Sequence, residues 1–279
     1  MNILNWQLFL EELVGEKRIS NVQSYIDGMN LSLQDKLFFV DMLDFDVIVD
    51  FGCADGTFLE AISKVKPNIK LIAYDLDKDM LSKAKSRLGK KAIVTDNWEE
   101  VGNSLIFYKK PLLNLSSVIH EVYSYSSSMM IKKFWEDQVF GGDFKYITIR
   151  DMIPSTEISK SEEISQFKDD VRKIKLKSDS YYLKSFEERW GTISDNYRTL
   201  IHYLLKYRFT DNWEREVNEN YLPVSIETVR SKIPSGYKII QEENFLLPFL
   251  KEQVKKDFNI ELTHSTHTKM IIDNKNFKR

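Results

Sequence analysis

The stretch VIVDFGCADGTFLEAI, residues 47–62, decides the fold of this chain. It begins with a short β-branched apolar run, turns through Gly52 and Gly56, and continues in an amphipathic pattern. The apolar run predicts a buried strand, and the pattern after it predicts a helix. The two glycines permit a tight turn and a close approach of the backbone to a ligand, which the helix N-terminus would face. The segment therefore predicts a ligand-binding strand–turn–helix unit.

Strands and helices continue to alternate after this unit. LIAYDLD (71–77), AIVTD (92–96), LLNLSSVIHEV (112–122) and YITIR (146–150) predict four more strands, and GYKIIQEENF (236–245) and HTKMIID (267–273) predict two near the C-terminus. Continuous apolar strands separated by helices are typical of parallel sheets buried on both faces. We predict an α/β Rossmann-like fold whose mostly parallel seven-stranded sheet is flanked by helices.

The alternation stops after the fifth strand. Residues 154–234 are charged, aromatic and helical in pattern, which predicts a helical insertion that acts as a substrate lid. The predicted organisation is an N-terminal helical segment over 1–45, a ligand-binding domain formed by 46–153 and 235–279, and the insertion between its two parts.

Composition limits the classes of function. The chain has 279 residues, 42% of them hydrophobic, a formal net charge of -2 and one cysteine. A global basic field is absent, so a nucleic-acid partner would need a local patch. No secretion signal or membrane span is visible, and no intramolecular disulfide can form, which predicts a cytoplasmic protein without a membrane partner.

The charge of the turn indicates the kind of ligand. The turn lacks the G-x-G-x-x-G spacing and carries Asp50 and Asp55 beside the helix start, where they would repel a pyrophosphate. They would attract a nucleoside with an ammonium and a sulfonium, and S-adenosylmethionine (SAM) carries both. Asp75 follows Gly56 by nineteen residues, at the end of the second predicted strand, where an acid hydrogen-bonds ribose hydroxyls.

Four motifs also resemble those of the class I SAM-dependent methyltransferases. DFGCADG (50–56) resembles the first motif, with Ala54 where the family usually has a third glycine; YDLDKDML (74–81) resembles the second, TDNW (95–98) the third, and NLSSVIHEV (114–122) the fourth-strand motif. SSVIHEVYSY and IRDM are also similar to text in a poorly characterised group of bacterial and phage methyltransferase-like proteins.

The resemblance implies SAM as the cofactor and assigns roles to individual residues. Asp75 would bind the ribose, Asp96 the adenine amino group, Met80 would lie near the adenine, and Asn97 or Trp98 would lie along its ring. The complete set of implied cofactor contacts is Asp50, Gly52, Cys53, Ala54, Gly56, Asp75, Leu76, Met80, Asp96, Asn97, Trp98 and Ser116.

The end of the fourth predicted strand is where a methyl acceptor would lie, because ligands of open α/β sheets bind beyond the carboxyl ends of the strands. His120 is a candidate general base, Glu121 could orient it or bind the acceptor, and Tyr123 could stack on the acceptor. The alternative is structural, with His120 capping the sheet and Glu121 binding a backbone amide. Arg150 and Asp151 form a second candidate pair, which we favour as a structural ion pair.

Several acceptor chemistries are disfavoured. Asn-Pro-Pro-aromatic text, typical of enzymes that methylate nucleic-acid amino groups, is absent after the fourth strand. Methylation of a pyrimidine carbon needs a cysteine nucleophile, and the one cysteine, Cys53, lies in the turn. We predict no metal site, and a surface or capping role for His264 and His267.

The insertion leaves the acceptor open. Basic and aromatic side chains together suit RNA or single-stranded nucleic acid, whereas an aromatic lid over a small molecule and a solvated helix face over an aromatic core are alternatives. We therefore predict a SAM-dependent methyltransferase that acts on nucleic acid or on a small molecule. A protein acceptor and a SAM-binding interaction protein without turnover are further alternatives. The residues concerned are RKIKLK (172–177), Arg198, His202, Lys206 and Arg208, with Tyr197, Tyr203 and Tyr207.

Overall fold

The computed structural model describes residues 33–160 and 166–278 of the chain. Most of the predicted N-terminal helical segment, residues 1–32, lies outside the described residues. A short helix, α1 (Leu33–Lys36), opens the described part and is followed by turns up to residue 42.

Seven strands form one sheet in the order β3-β2-β1-β4-β5-β7-β6. Strands β1 to β5 pair in parallel, whereas β7 pairs antiparallel with both β5 and β6. The predicted Rossmann-like seven-stranded fold is therefore confirmed, and its sheet is mixed because β7 runs against its neighbours. The strands are β1 (Val47–Phe51), β2 (Lys70–Tyr74), β3 (Ala92–Thr95), β4 (Pro111–Ser116), β5 (Tyr146–Asp151), β6 (Tyr237–Phe245) and β7 (His267–Asn274).

Helices cover both faces of this sheet. Alternate residues of β1 point to opposite sides: Val47, Val49 and Phe51 join one hydrophobic core, and Ile48 joins the other. Each flanking helix therefore buries its apolar stripe against one of two cores. The helices before β5 are α2 (Thr57–Val65), α3 (Lys78–Leu88), α4 (Trp98–Leu105), α5 (Ile119–Tyr125) and α6 (Ser128–Lys133), the last running on as a π-helical segment (Phe134–Val139).

Strand β4 is shorter than its apolar text predicts. It ends at Ser116, Ser117 takes a left-handed φ of 59°, and α5 begins at Ile119. The predicted fourth strand over 112–122 is therefore wrong beyond Ser116. His120 lies in the first turn of a helix rather than on a strand, a difference that sets its contacts below.

All regular structure described between β5 and β6 is helical. Most of it packs around a hydrophobic core of its own, which also takes in Leu250, Val254 and Phe258 of the helix after β6. This core therefore crosses residue 234, where the insertion ends in sequence. The helices are α7 (Thr156–Lys160), α8 (Phe167–Lys177), α9 (Ser180–Trp190), α10 (Tyr197–Lys206), α11 (Trp213–Glu216) and α12 (Ile226–Lys232), with α13 (Pro248–Phe258) after β6.

Across the described residues, none of the helices is long and apolar enough to cross a membrane.

Gly56 lets two helices pack closely against each other. It is buried at φ 79°, and a Cβ there would lie 3.2 Å from Cα of Ala84 and 3.1 Å from Cδ1 of Leu88. The missing side chain lets the start of α2 lie directly against α3. Gly56 thus has a packing role in the turn, and its contact with a cofactor stays a prediction.

We expect Gly56→Ala to lower the free energy of unfolding by about 1–3 kcal/mol, because it adds both overpacking and a left-handed alanine. Urea unfolding measures the change. Gly102→Ala is the matched control: a Cβ at Gly102, inside α4, meets nothing within 4 Å, so alanine should raise stability by up to about 1 kcal/mol. Equal stability of the two variants would contradict this account of Gly56.

Candidate functional site

The turn after β1 presents its backbone at the carboxyl edge of the sheet. Gly52 is exposed and has a φ of 75°, and a Cβ there would meet Cγ2 of Val118 at 3.1 Å. Ala54 also lies in the left-handed region, with a φ of 47°, which explains why glycine suits its position. Cys53 between them is buried in the core beneath, where burial raises the pKa of its thiol. Its side chain thus belongs to the packing of the turn and not to a nucleophile.

Asp75 ties the end of β2 to this turn. Its carboxylate accepts hydrogen bonds from the backbone N–H groups of Ala54 at 2.7 Å, Leu76 at 2.7 Å and Asp77 at 3.0 Å. The predicted ribose acid therefore stands beside the glycine turn, although the two are twenty-one residues apart. Leu76 contributes its N–H to the acid and lies half-buried at the same edge.

Asp55 does not face a ligand. It is buried, Arg87 of α3 contacts its carboxylate at 2.6 Å, and the hydroxyl of Thr57 donates to it at 2.9 Å. Arg87 neutralises the charge of Asp55, so this charge is not available for a cationic cofactor, contrary to the expectation from the sequence. Of the two acids in the turn, only Asp50 retains that assignment.

Asp50 belongs to a buried polar ladder across the three central strands. It accepts a hydrogen bond from Nδ2 of Asn114 at 2.8 Å, and Oδ1 of Asn114 accepts one from Thr148 at 2.9 Å. Burial raises the pKa of Asp50 to about 7, although this hydrogen bond and the positive charge of Lys36 oppose the rise. Asp50 therefore holds a proton over part of the physiological range, and a nearby cation would drive that proton off.

The residues expected around an adenine lie at the ends of β2 and β3. The carboxylate of Asp96 has no hydrogen-bond partner within 33–160 or 166–278, and the side chain of Asn97 caps α4 by accepting from Glu99 at 2.9 Å. Met80 is buried in the first turn of α3. Asp96 is thus the member of this group best placed to bind a ligand.

Trp98 packs inward. Its ring centroid lies 5.3 Å from that of Phe51, 5.0 Å from that of Tyr74 and 6.3 Å from that of Phe144. These rings form part of one sheet core, against which the half-buried Trp98 packs. The indole therefore gains most of its contacts from the protein, and its assignment along an adenine ring stays a prediction.

His120 is held by a partner that the sequence analysis did not assign to it. Its Nδ1 lies 2.8 Å from Oδ1 of Asp151, and Oδ2 of Asp151 accepts the backbone N–H of Ile119 at 2.7 Å. On the other side, Nε2 of His120 lies 3.8 Å from Glu219, in the loop after α11. Asp151 thus pairs with His120 and not with Arg150, so the expected Arg150–Asp151 ion pair is wrong.

These carboxylates set the charge of His120. Burial lowers the pKa of its imidazole, but Asp151, Glu219 and Glu121 outweigh burial and raise that pKa above the ordinary value of 6.5. Burial likewise opposes ionisation of Asp151, and His120 reverses it, so the pKa of Asp151 is lowered. Each partner therefore favours the charged form of the other, which suits a pair that holds the start of α5 against the end of β5.

Glu121 and Tyr123 are also engaged. Arg215 of α11 contacts Glu121 at 2.9 Å and Glu219 at 2.6 Å, and the hydroxyl of Tyr123 accepts a hydrogen bond from Nε1 of Trp135 at 3.1 Å. The three candidate catalytic residues thus contact α11, the loop after it and the π-helical segment. We call the helices between β5 and β6, with their loops and with α13, the helical cover. The catalytic role of the three residues stays a prediction.

The sequence analysis predicted no metal site, and the residues around His120 are the place where that prediction can be examined. Across the described part of the chain, His120, Glu121 and Glu219 form the one group whose ligand atoms, all within 4.8 Å of one another, could hold a metal ion. The guanidinium of Arg215 already places a cation on both glutamates. His264 contacts Tyr197 at 3.4 Å instead of pairing with His267.

The basic and aromatic side chains of α10 do not form a surface. His202 and Lys206 are buried together with Tyr197 and Tyr203, and Nζ of Lys206 donates to the backbone carbonyl of Glu216 at 2.5 Å. Their alternation is that of a helix buried on most sides within the helical core. The contribution that α10 was expected to make to a nucleic-acid surface is therefore withdrawn, while the exposed end of RKIKLK remains available.

Arg215 and Glu219 contact the candidate catalytic residues and were not predicted from the sequence. They lie about 95 residues beyond the α5 residues that they contact, and no local pattern marks them. The one available signal was the density of acids and bases at 214–219.

Comparison with known proteins gives similarity in fold alone. No family model matches the chain, and no curated protein matches it. Among solved structures, the plantazolicin methyltransferase BamL in complex with a triazolic desmethylPZN analogue and SAH is 12% identical, with a TM-score of 0.44 over 91% of this chain and 87% of that one. A SAM-dependent methyltransferase from Archaeoglobus fulgidus is 16% identical, with a TM-score of 0.47 over 88% and 93% of the two chains.

The methyltransferase domain of a bacterial Hen1, CtHen1-C, is 13% identical, with a TM-score of 0.44 over 86% of this chain and 95% of that one. At these levels of similarity, the chemistry of the present chain has to be read from its own residues.

The His120–Asp151 pair should make stability depend on pH. Because the folded-state pKa of His120 is raised, its contribution is fully present below about pH 6.5, the unfolded value, and is lost as the pH rises through the folded value. Urea unfolding across that range should show wild type exceeding His120→Gln by about 3 kcal/mol on the acid side, the scale of a broken buried pair, with a shrinking gap above. His264→Gln is the control and should keep the wild-type profile; a gap that does not change with pH would contradict the charged pair.

Proposed function

We propose that the chain binds SAM at the carboxyl ends of β1, β2 and β3 and transfers its methyl group to an acceptor beyond β4 and β5. One observation carries this proposal: the Asp75 carboxylate binds Ala54 N–H at 2.7 Å, so the ribose acid stands against the exposed backbone of Gly52. This is the geometry needed for a nucleoside that lies along the edge of the sheet.

The order of the strand ends gives the cofactor its direction. Asp96 follows β3 and has no partner within the described ranges, which suits the amino group of an adenine. Asp75 follows β2 and suits the ribose, and the turn at Gly52 follows β1 and suits the amino-acid end. The methyl group would then point past β1 toward the end of β4, where Ser116 lies.

Methyl transfer at this edge is an in-line displacement at carbon. A lone pair of the acceptor forms the new bond to the methyl carbon, the carbon–sulfur bond breaks, its electron pair stays on sulfur, and the acceptor loses a proton where it carries one. The sulfonium is neutralised, so the protein contributes chiefly by alignment and by exclusion of water. A proton acceptor among His120, Glu121 and Tyr123 is part of the proposal.

The helical cover favours a small acceptor. Arg215 and Glu219 bring the loop of α11 onto α5, and Tyr125 of α5 donates to Glu219 at 3.0 Å. These contacts close the space beyond β4 with protein side chains, which suits a molecule that can be enclosed more than a polymer. Nucleic acid is the second candidate and is favoured only by the exposed Lys175 and Lys177 of α8. Binding of SAM without turnover is the third.

We expect SAM and S-adenosylhomocysteine to raise the melting temperature of the wild-type protein and Asp75→Asn to reduce the affinity at least about tenfold, because a charge-assisted hydrogen bond is lost. Calorimetric titration gives the affinity directly. Asp79→Asn, an exposed acid in the first turn of α3, is the matched control and should bind normally. A wild-type protein that binds neither ligand would refute the proposed function.

We expect methyl label from SAM to enter the small-molecule fraction of a cell extract and not its RNA or protein. The same assay run with His120→Asn measures its part in the reaction: loss of transfer with intact SAM binding supports a role near the acceptor. Label confined to RNA, with binding that weakens steeply as salt rises, would replace the small acceptor by nucleic acid. Tight SAM binding with no label in any fraction would favour an interaction protein.

A further inference from the structure

Arg150 is a buried cation with one donor left over. It closes β5 at the carboxyl edge, is 97% shielded from solvent, and stacks over Phe245 at 5.7 Å. Its Nε donates to Asp35 at 2.9 Å, and its Nη1 donates to the hydroxyl of Ser117 at 3.1 Å. Its Nη2 is buried and has no hydrogen-bond partner among residues 33–160 and 166–278. A buried guanidinium nitrogen left in this state is costly, and a native site that keeps one calls for a missing acceptor.

Ser116 offers a second unsatisfied group at the same place. It is the register partner of Arg150 across the β4–β5 pair, and its hydroxyl oxygen is buried without a hydrogen-bond partner in the described part of the chain. Paired residues of neighbouring strands lie on the same face of a sheet, so the two orphaned groups belong to side chains that leave the sheet next to each other. A guanidinium N–H and a hydroxyl together offer two donors to one ligand group.

The charge around Arg150 is net positive. Arg150, Lys36 and Lys269 supply three positive charges, and the acids among them are Asp35, which contacts Arg150 and Lys269, and Asp50, whose field acts on Lys36. Burial, together with the charge of Arg150, lowers the pKa of Lys36 to about 8. An anion placed here would relieve that repulsion.

The other acids nearby do not remove this surplus. Asp151, one residue after Arg150, pairs with Nδ1 of His120 at 2.8 Å, and its two oxygens also accept the backbone N–H groups of Ile119 and Met152. Glu243 lies 3.9 Å from Lys269, but its side chain is half exposed, so water screens its charge. The uncompensated positive charge is therefore located at the ends of β4 and β5, beside Arg150.

This place is on the acceptor side of the cofactor. The residues assigned to SAM follow β1, β2 and β3, and Ser116 of β4 lies at the border, with β5 next in the sheet. A group bound to Arg150 would thus belong to a molecule lying one strand further along, beside the methyl group that is to be transferred.

We infer that Arg150, with Ser116, forms a carboxylate-binding site, and that the methyl acceptor is a small molecule carrying a carboxylate that docks there. This inference rests on the proposed function for the identity of the acceptor, but the site itself does not. One carboxylate oxygen accepts from Nη2 of Arg150, the other from the Ser116 hydroxyl, and its negative charge offsets the surplus of positive charge.

The test uses the full chain and acetate as the probe, with acetamide as a neutral molecule of the same shape. Thermal melts at constant ionic strength, with and without SAM, report the two questions separately. The SAM shift tests the proposed function, and the difference between acetate and acetamide tests the site. We expect acetate to stabilise the wild-type protein and acetamide to leave it unchanged.

Variants assign that effect to the residues. Arg150→Lys, which keeps the charge beside Asp35 but lacks the second terminal nitrogen, should weaken acetate binding at least about tenfold, and Ser116→Ala should weaken it by a smaller factor. Arg172→Lys, at an exposed position on α8, is the matched control and should bind acetate as wild type does. Ser116→Ala keeps the test decisive if Arg150→Lys does not fold.

Equal shifts with acetate and acetamide, or an acetate shift that survives both site variants, would overturn the inference. A larger shift with inorganic phosphate than with acetate would also overturn it, because the site would then be one for a phosphoryl group. Absence of a SAM shift alongside a normal acetate shift would refute the proposed function and leave the carboxylate site standing.

Discussion

One buried carboxylate, that of Asp151, accepts hydrogen bonds from the backbone of Ile119 at 2.7 Å and of Met152 at 2.7 Å and pairs with His120 at 2.8 Å. It thereby fixes the end of β5, the start of α5 and the imidazole that faces Glu219 of the helical cover. A carboxylate buried to this degree is tolerated because both of its oxygens accept hydrogen bonds and the imidazole of His120 lies against it. The path of the chain from the end of β5 to the start of α5 and the loop after α11 depends on that one requirement.

Backbone strain is concentrated at the same edge. Ala54 and Ser117 are both non-glycine residues in the left-handed region; Ala54 lies three residues after the end of β1, and Ser117 follows β4 directly. Each costs on the order of 1–2 kcal/mol, and each turns the chain abruptly from a central strand toward a helix. The central ladder of Asp50, Asn114 and Thr148 holds those strands in register beneath the two turns.

The strands could be predicted because buried parallel strands are apolar without interruption, and VIVDF and YITIR are such runs. The end of β4 could not, since the apolar text continues to Val122 while Ser117 reverses the backbone and Asp151, 32 residues away from Ile119, receives the first N–H of α5. The position of Asp75 beside the turn could be predicted, because one helix separates the turn from the next strand and sets the number of residues between them.

Charges were the least predictable feature. Asp55 reads as free in the sequence, yet Arg87, thirty-two residues on, neutralises it; the basic residues of α10 read as a surface, yet they lie within a second core. A charged side chain can meet solvent, a ligand or an opposite charge. Contacts between distant segments decide which, and these contacts cannot be read from a single sequence.

The helix α13 has a consequence for how this architecture can be divided. It follows β6 in the chain, but Leu250, Val254 and Phe258 complete the core of the helices that precede β6, and its Asp257 binds Tyr207 at 2.7 Å. The helical cover is therefore built from segments that lie before and after β6 in the chain. The helical cover cannot be exchanged as one continuous segment. A chimera that replaces only the residues between β5 and β6 would leave the apolar face of α13 exposed. A working chimera must therefore replace two separate segments and keep β6 between them.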